Sequence, residues 1–410
     1  MTLYRARYLV SMDAPPVEDG GLLVEGDEIV AVGKFRDLAA HQSATAVDLG
    51  EVILMPGLIN AHCHLEYSSL RHLIFSQSSF TKWIQRINAA KRNLTDDDYL
   101  AATVSGAAEL LRHGTTTVVN IESFPELLDR MPALPLRTWW CYELMDIRLR
   151  NHSEESMRGA MRFFEPAESE LTNFALSPHA PYTASADLYR RSIAAAKAAD
   201  LLVTTHVAES NEEMQMLQEA SGPLYDFLQS IGRDMGDCGQ TTPLRHLVEY
   251  AQLTPDTLLV HLNELKSEDY PLLAQWAQGE MIHVTHCPKS HRFFQRGKFP
   301  YEELLTANAN ISLGTDSLAS NDKLDLFAEM RCFSEAFPQV APVEIIEMVT
   351  CNPARSLKQS GKLGVLRPGA FADAITISAA DVSPSEVYEA ILQNKRAIPW
   401  TMIAGKVVVP

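Results

Sequence analysis

The feature of this sequence that most constrains its fold is a recurring unit of a strand-like apolar run, a loop and an amphipathic helical stretch. Most of the apolar runs are rich in β-branched residues, as expected for strands that are buried on both faces. The predicted strands cover residues 52–64, 115–123, 136–145, 173–182, 202–209, 257–265, 281–286 and 310–317. Eight strands that alternate with helices predict an α/β fold, a parallel (β/α)8 barrel of the TIM type.

Two of the intervening helices have clear start and stop signals. One helix is predicted over residues 96–113, because Thr95 can cap its first turn and Gly114 can end it. Another is predicted to begin after Ser185 and to continue through an alanine-rich stretch. Both helices separate successive predicted strands, as the barrel requires.

The two ends of the chain differ from this alternating pattern. Residues 1–51 and 362–410 carry short strand-like runs and turn signals such as EDGG and LRPG. Since the barrel strands are already accounted for, we expect both ends to form one small β-sandwich domain outside a barrel domain over residues 52–361. The alternative is that each end forms a sheet of its own.

Composition and charge argue against some classes of binding partner. The 410 residues carry a formal net charge of −17, so the basic footprint of a protein that binds nucleic acid or an anionic membrane is missing. No apolar run is long enough to cross a bilayer. The first residues have no long apolar core followed by a small-residue cleavage site, so we expect no secretory signal. The six cysteines form no CxxC pair. We therefore expect a cytoplasmic protein that acts on a small molecule, with homo-oligomerisation left open.

Histidines and a carboxylate lie at the carboxyl ends of the predicted strands, where barrel enzymes carry their reactive groups. His62 and His64 are two residues apart, so both imidazoles point to the same side of a strand. His206, His261 and Asp316 end the fifth, sixth and eighth strands. A single histidine at such a place is typically a hydrogen-bonded core residue, but the whole set predicts a metal site.

The ligand types allow several divalent transition metals. Imidazole and carboxylate ligands suit zinc, and also iron, manganese or cobalt. Zinc is expected first, with iron or manganese as alternatives. A site with one position left for water lowers the pKa of that water and makes it a nucleophile, which is the chemistry of a hydrolase.

These motifs resemble the amidohydrolase superfamily, in which HxH follows strand one, a histidine follows strands five and six, and an aspartate follows strand eight. The resemblance covers nearly the whole chain. It implies that a metal is held by His62, His64, His206 and Asp316, and that His261 hydrogen-bonds the water or the reacting centre. Members with two metals use a lysine at the end of strand four. No lysine occurs in residues 171–185, so one metal is expected.

The spacing from His206 to Glu209 resembles that of members that deaminate rings. In those members such a glutamate carries a proton from water to the ring nitrogen beside the attacked carbon. The resemblance therefore implies general acid–base catalysis by Glu209. The alternative is a glutamate at the surface, at the start of the next helix. The following residues 211–213 are expected to be a solvated helix start.

Longer motifs resemble one branch of the superfamily. SPHAPYTAS, HCPKSHRFF and GTDSLASNDKLDLFAEMR are similar to segments of S-adenosylhomocysteine/methylthioadenosine deaminases, chlorotriazine hydrolases and aminofutalosine deaminases. NAHCHLEYS, FTKW and THVAES are most similar to the last group. The chain departs from the first group in three places. Arg92 stands where that group has a ribose-binding glutamate, Glu143 replaces an arginine for the amino-acid carboxylate, and His291 replaces an asparagine.

Three residues are predicted to contact the substrate: His179 at the end of strand four, Trp83, and Glu143 after strand three. The segment 65–95 between the first strand and its helix is where a lid is expected. Trp83 and Phe80 in that segment suit a pocket wall, although core packing explains them equally well.

The sequence as a whole predicts a metal-dependent hydrolytic deaminase that releases ammonia from an amino-substituted purine-like ring or nucleoside, of the aminofutalosine or adenosine type. Glu209, His261 and Asp316 are the predicted catalytic residues. An enzymatic alternative keeps the same site but expels chloride or hydrolyses a formimino group. A third alternative is a catalytically inactive barrel that serves as an assembly subunit.

Overall fold

The computed structural model describes residues 1–39, 44–75, 79–147, 152–163 and 171–409. The first part of the chain forms antiparallel hairpins and short returning strands, because turn residues such as Gly26, with a φ of 62°, separate the apolar runs. The strands here are β1 (Thr2–Leu9), β2 (Val17–Glu25), β3 (Glu28–Lys34), β4 (Thr45–Asp48) and β5 (Val52–Pro56), and one helical turn, α1 (Phe35–Leu38), follows β3.

The chain leaves this first sheet at Gly57. A Cβ atom on Gly57 would lie 2.1 Å from Oγ1 of Thr116, so only glycine fits where the chain crosses to the barrel. The prediction of one barrel strand over residues 52–64 is therefore wrong in its first half. Residues 52–56 pair within the first sheet, and only residues 58–64 belong to the barrel.

The predicted parallel barrel is confirmed. Each strand pairs with the next in sequence, and the last segment, β14, pairs with the first, β6, so that the sheet closes on itself. A break at residues 314–315 divides the eighth strand into two segments, β13 and β14. The barrel strands are β6 (Leu58–His64), β7 (Thr115–Glu122), β8 (Arg137–Leu144), β9 (Thr172–Pro178), β10 (Leu202–Val207), β11 (Leu258–His261), β12 (Ile282–His286), β13 (Ala309–Leu313) and β14 (Asp316–Ser317).

Helices surround the barrel and extend over its carboxyl end. The α-helices after α1 are α2 (Phe80–Lys91), α3 (Asp96–Arg112), α4 (His152–Phe163), α5 (Ala186–Ala199), α6 (Asn211–Glu219), α7 (Pro223–Ser230), α8 (Pro243–Arg245), α9 (Asp269–Ala277), α10 (Pro288–Phe293), α11 (Tyr301–Thr306), α12 (Leu326–Ala336), α13 (Pro342–Glu347), α14 (Cys351–Ser356) and α15 (Val387–Leu392). Shorter turns are the 3-10 helices Leu65–Leu70, Pro125–Arg130 and Pro384–Glu386 and the π-helix His246–Tyr250. None of the helices among the described residues is long and apolar enough to cross a membrane.

The two helices with clear capping signals begin where the sequence predicts. Thr95 accepts a hydrogen bond from the Asp98 N–H while the Asp98 carboxylate accepts one from the Thr95 N–H, which is a complete capping box. Gly114 ends this helix with a φ of 79°. Ser185 caps α5 by accepting a hydrogen bond from the Leu188 N–H.

Strands from both ends of the chain meet in one mixed sheet, here called the end sheet. Its last strands are β15 (Ala374–Ser378), β16 (Thr401–Ile403) and β17 (Lys406–Val409), and β15 pairs antiparallel with β5. The strand order is β17-β16-β15-β5-β1-β2-β3, with β4 paired to β1. The domain limits at residues 1–51, 52–361 and 362–410 remain predictions.

A buried ion pair joins the barrel to the end sheet. Nε of Arg137, on β8, donates to Oδ2 of Asp373 at 2.8 Å, and the guanidinium lies 4.1 Å from the centre of the Phe371 ring. The Asp373 carboxylate also accepts a hydrogen bond from the Ala404 N–H. Removing one partner of such a pair leaves a buried charge, which typically costs about 3–5 kcal/mol.

Candidate active site

Three histidines converge at the carboxyl end of the barrel. His62 and His64 point to the same side of β6, as their spacing predicts, and His206 reaches the same place from β10. One ring nitrogen of each lies within 4.8 Å of the others, and Nε2 of His64 is 3.4 Å from Nε2 of His206. All three side chains are buried. Their arrangement makes this a candidate metal centre.

Asp316 lies beside this cluster. Its Oδ1 atom is 3.8 Å from Nε2 of His62, while Oδ2 accepts hydrogen bonds from the hydroxyls of Ser290 and Ser320 at 2.6 and 3.1 Å. Asp316 adopts a φ of 56°, a backbone conformation that is uncommon for a residue other than glycine. Hydroxyls hold one oxygen, and the other, which accepts a hydrogen bond from the Ser317 N–H at 2.7 Å, faces the histidines.

Two of the three histidines, His62 and His206, are in the neutral form that binds a metal ion, whereas the Glu66 carboxylate, 3.5 Å from Nδ1 of His64, raises the pKa of that third ring. Burial holds the pKa of His62 and of His206 well below its usual value, so both rings are neutral. Nδ1 of His206 lies 2.9 Å from the backbone carbonyl of His179, to which it can donate. The lone pair is then on Nε2, the atom that faces His64.

Glu209 lies between a histidine and an arginine. Its Oε2 atom is 3.9 Å from Nε2 of His261, and its Oε1 atom is 3.9 Å from Nη2 of Arg296. Burial raises the pKa of Glu209 to about 8, and this effect is larger than the opposing effect of the Arg296 charge. Burial also lowers the pKa of His261 to about 3, so that this ring is neutral. A carboxylate placed here, at hydrogen-bonding reach of a molecule in the site, suits proton transfer.

The backbone around Glu209 is held by a second glutamate. The Glu213 carboxylate accepts hydrogen bonds from the N–H groups of Ala208 and Glu209, at 3.1 and 2.7 Å. Nδ2 of Asn263 donates to the Glu209 carbonyl at 3.2 Å. The expectation of a solvated helix start at residues 211–213 is wrong for Glu213, which is fully buried. Its carboxylate accepts hydrogen bonds from two backbone N–H groups in the turn before α6, those of Ala208 and Glu209.

A cavity of about 410 Å³ opens above these groups. Five residues that lie at or just after the ends of barrel strands line the bottom of this cavity and are called the floor below: His64, His206, Glu209, His261 and Asp316.

All three residues predicted to contact the substrate line this cavity: His179, Trp83 and Glu143. Nδ1 of His179 is 2.5 Å from the Thr183 hydroxyl, and Nε2 is 3.8 Å from Oε1 of Glu143. The hydroxyl and the carboxylate therefore fix the orientation of the His179 ring.

Helices α2 and α7 line one side of the cavity, and together they are called the wall below. Trp83 of α2 stacks on Phe80 and donates from Nε1 to the Ala319 carbonyl at 3.1 Å. The first turn of α2 is capped by Glu212, whose carboxylate accepts from the N–H groups of Phe80 and Thr81 at 3.1 and 2.8 Å and also from the Thr81 hydroxyl. Glu212 too is therefore a structural contact rather than part of a solvated helix start.

The sequence did not reveal the polar end of the cavity. Arg92, at the position compared with a ribose-binding glutamate, is exposed, and the preceding Lys91 lines the cavity instead. Nζ of Lys91 donates to the Tyr67 hydroxyl at 2.6 Å, and the Tyr67 ring stacks on His64. The helical spacing from Trp83 to Lys91, two steps of four residues, is the signal that places both on one face of α2.

His291, the third departure, packs behind the floor. Its ring centre is 5.1 Å from that of His286, whose ring stacks on Phe299 at 3.8 Å. Burial lowers the pKa of His291 to about 4. This histidine therefore contributes to the packing under the strand ends.

A closed (β/α)8 barrel with histidines and carboxylates at the carboxyl ends of its strands has the architecture of a barrel enzyme. The chain belongs to the amidohydrolase family, whose model matches residues 53–408. It is a hydrolytic enzyme that acts on carbon–nitrogen bonds. The resemblance that the motifs indicated is confirmed.

Individual relatives agree with this assignment. The chain is 30% identical to the 5-methylthioadenosine/S-adenosylhomocysteine deaminase of Syntrophobacter fumaroxidans, over 89% of this chain and 81% of the relative. It is also similar in structure to aminofutalosine deaminase of Helicobacter pylori in complex with methylthio-coformycin, with a TM-score of 0.88, 20% identity and all of both chains covered. A zinc-bound adenosine deaminase of Xanthomonas campestris gives a TM-score of 0.84 and 23% identity, over 99% of this chain and 92% of that one.

Proposed function

We propose that this protein is a metal-dependent deaminase that hydrolyses the amino group of a purine ring in an adenosine-type nucleoside and releases ammonia. The observation that carries the proposal is Glu209, a buried carboxylate that shares the cavity floor with His64 and His206 without belonging to the cluster of three histidines. A carboxylate close to a metal site and free of coordination can move a proton.

The residues present fit one divalent metal ion. The cluster offers three imidazoles, which we assign as ligands together with the Asp316 carboxylate. Where a second metal would need a bridging lysine, strand β9 is followed by His179. Imidazole and carboxylate donors suit zinc, and the similar Xanthomonas deaminase is zinc-bound, so zinc is the proposed metal. When bound, the ion would lower the pKa of water and polarise it for attack.

The positions of the carboxylates support the following proton steps. Glu209 takes a proton from the attacking water and delivers it to the ring nitrogen beside the amino-bearing carbon. The oxygen adds to that carbon, and His261 donates a hydrogen bond to it. Asp316 or Glu209 then passes the remaining proton of that oxygen to the amino group, which leaves as ammonia, and the ring keeps a carbonyl. His179 and Trp83 contact the ring, and Glu143 contacts the remainder of the nucleoside.

The relatives support an adenosine-type substrate. The Syntrophobacter relative is named for 5-methylthioadenosine and S-adenosylhomocysteine, and the two similar structures are an adenosine deaminase and an aminofutalosine deaminase. All three are named as deaminases. The cavity, at about 410 Å³, has room for a nucleoside with a substituent.

Ammonia release from a panel of substrates tests the proposal. The panel contains adenosine, 5'-deoxyadenosine, 5'-methylthioadenosine, S-adenosylhomocysteine, aminofutalosine and a chlorinated triazine. We expect ammonia from at least one nucleoside, loss of that activity after chelation, and recovery with about one equivalent of zinc per chain. Chloride release from the triazine alone would favour a chlorohydrolase, and failure to bind any metal would favour an inactive assembly subunit. Two tightly held ions per chain would contradict the ligand set.

A further inference from the structure

Arg296 follows the short helix α10 in a turn that directs its side chain inward. The Arg296 N–H donates to the His291 carbonyl at 3.2 Å, and the Gln295 N–H donates to the Arg292 carbonyl at 3.0 Å. Gln295 has a φ of 54°. These two hydrogen bonds and the left-handed residue form a Schellman motif, which ends the helix and reverses the chain. The Arg296 side chain is only 9% exposed as a result.

The Arg296 guanidinium lies in an aromatic setting behind Glu209. It is 5.4 Å from the centre of the Phe80 ring and 4.8 Å from that of Phe294. Among the described residues, its buried Nε and Nη2 atoms have no hydrogen-bond partner. A buried cation without hydrogen bonds is costly unless an opposite charge is near, and Oε1 of Glu209 is 3.9 Å from Nη2.

The two oxygens of Glu209 face different partners. Oε1 faces Arg296, whereas Oε2 faces His261 and the cavity floor. At 3.9 Å the contact between Glu209 and Arg296 is longer than a hydrogen bond. The charge of Arg296 therefore attracts the carboxylate, but no hydrogen bond fixes it in place. One oxygen is thereby kept away from the floor and the other is presented to it.

Other charged groups around Glu209 act in both directions. Asp316 and Glu213 raise the pKa of the Glu209 carboxyl, while Arg296 and His64 lower it. Burial raises the pKa of Glu213 to about 7 and also raises that of Glu264, and the charge of Arg296 opposes both shifts. The same guanidinium therefore acts on Glu209 and on two further carboxyl groups near it.

We propose that Arg296 is a positioning residue for the reaction, which orients the Glu209 side chain and favours the ionised carboxylate that can accept a proton. This inference rests on the proton-transfer role proposed for Glu209. Arg296 does not line the cavity as the described residues define it, so it acts through Glu209 rather than on the substrate.

The test replaces Arg296 by methionine, which keeps an apolar chain against Phe80 and Phe294 but removes the charge. Arg296→Met is expected to keep its metal content and to lose kcat by about 10–100-fold at neutral pH, as loss of a supporting contact typically does. Loss of the cation raises the pKa of Glu209. The acid limb of the kcat/KM profile should therefore move up by about one pH unit or more, with activity recovering at higher pH.

Two further variants separate the positioning role from a structural one. Arg296→Lys keeps the charge and should regain part of the activity with an acid limb near that of the wild type. Arg292→Met is the matched control, because Arg292 is an exposed residue of the preceding helix that pairs with Glu335. It should leave kcat and the pH profile unchanged.

A double variant links the effect to Glu209. In a Glu209→Gln background, Arg296→Met should cause no further loss of kcat, and the two changes should affect the melting temperature of the metal-free protein non-additively. A loss of kcat equal at every pH, additive effects in the double variant, or normal kinetics of Arg296→Met would overturn the inference. If Glu209→Gln itself retains normal kcat, the proton-transfer role of Glu209 is refuted, and the role of Arg296 is refuted with it. If only Glu209→Gln is impaired, the role of Arg296 alone is refuted.

Discussion

The floor and the wall of the cavity are built in different ways. Four of the floor residues stand at the ends of barrel strands and pair with a neighbouring strand, as when Val207 of β10 pairs with His261 of β11. The fifth, Glu209, follows β10 and is held by Glu213. The wall helix α2 begins in mid-chain after a long connection. Its start is held by the N-cap Ser79 and by the Glu212 carboxylate, which comes from another part of the chain.

This difference separates the chemistry of the site from its selectivity. Glu213 holds the floor residue Glu209 and its neighbour Glu212 caps the wall, so two successive glutamates serve the two regions. Floor contacts should control kcat and metal binding, because they place the reacting groups. Wall contacts should control KM, because they enclose the substrate. Four substitutions, in order of decreasing effect, test that division.

The largest effect is expected from His206→Ala. It removes a proposed ligand, so metal content and activity should fall together, with kcat/KM lower by at least about 10³-fold because a catalytic metal contributes several kcal/mol. Elemental analysis and steady-state kinetics measure both. His72→Asn is the control, since His72 is exposed and its φ of 60° suits asparagine. A His206→Ala protein with full metal content would remove His206 from the ligand set.

Glu209→Gln should act on the rate alone. Glutamine is nearly the same shape and the histidine cluster is untouched, so the protein should fold and bind metal normally. Its kcat should fall by about 10²–10⁴-fold, the usual contribution of general acid–base catalysis, while KM changes far less. Near-normal turnover of an amino-ring substrate would show that the proton-transfer role is wrong.

Glu213→Ala should lower kcat with intermediate severity. The change frees the N–H groups of Ala208 and Glu209, so the catalytic carboxylate shifts, and a displacement of about 1 Å can cost about 10²-fold in rate. Glu213→Gln keeps an acceptor oxygen and should retain more activity. Glu219→Gln, on the exposed side of the same helix, serves as control. Unchanged kcat in Glu213→Ala would mean that the contact with Asn263 is enough to hold Glu209.

Glu212→Ala should produce the smallest effect, and on KM. Loss of a helix cap typically costs about 0.5–2 kcal/mol, which would loosen α2 and raise KM by about 3–10-fold while kcat stays within about twofold. Asn211→Ala, at the exposed neighbouring position, should match the wild type. If kcat fell and KM did not, wall and floor would be coupled and the division between them would be wrong.

The floor could be predicted from the sequence because its residues follow local rules. The spacing of His62 and His64 in a strand, and the positions of His206, His261 and Asp316 after apolar runs, place them at one end of a parallel barrel. Each of these inferences needs only the strand that carries the residue and the rule that strands align.

The supporting residues could not be predicted in this way. Glu212 and Glu213 look like an ordinary acidic first turn, and only the tertiary fold brings α2 and a strained turn to their carboxylates. Arg296 depends on a left-handed turn at Gln295 that no glycine marks. The split at Gly57 was not predicted because apolar residues continue on both sides of Pro56 and Gly57, although these two residues are themselves a turn signal.

The pairing of β5 with β15 has a consequence for biosynthesis. At about 5–20 residues per second, β15 leaves the ribosome tens of seconds after β5. During that interval the edge of β5 that β15 will cover has no mate, and hydrophobic residues such as Ile53 and Leu54 remain open to other nascent chains. Because β1 pairs with the opposite edge of β5, the edge that β15 covers stays open until β15 has been synthesised.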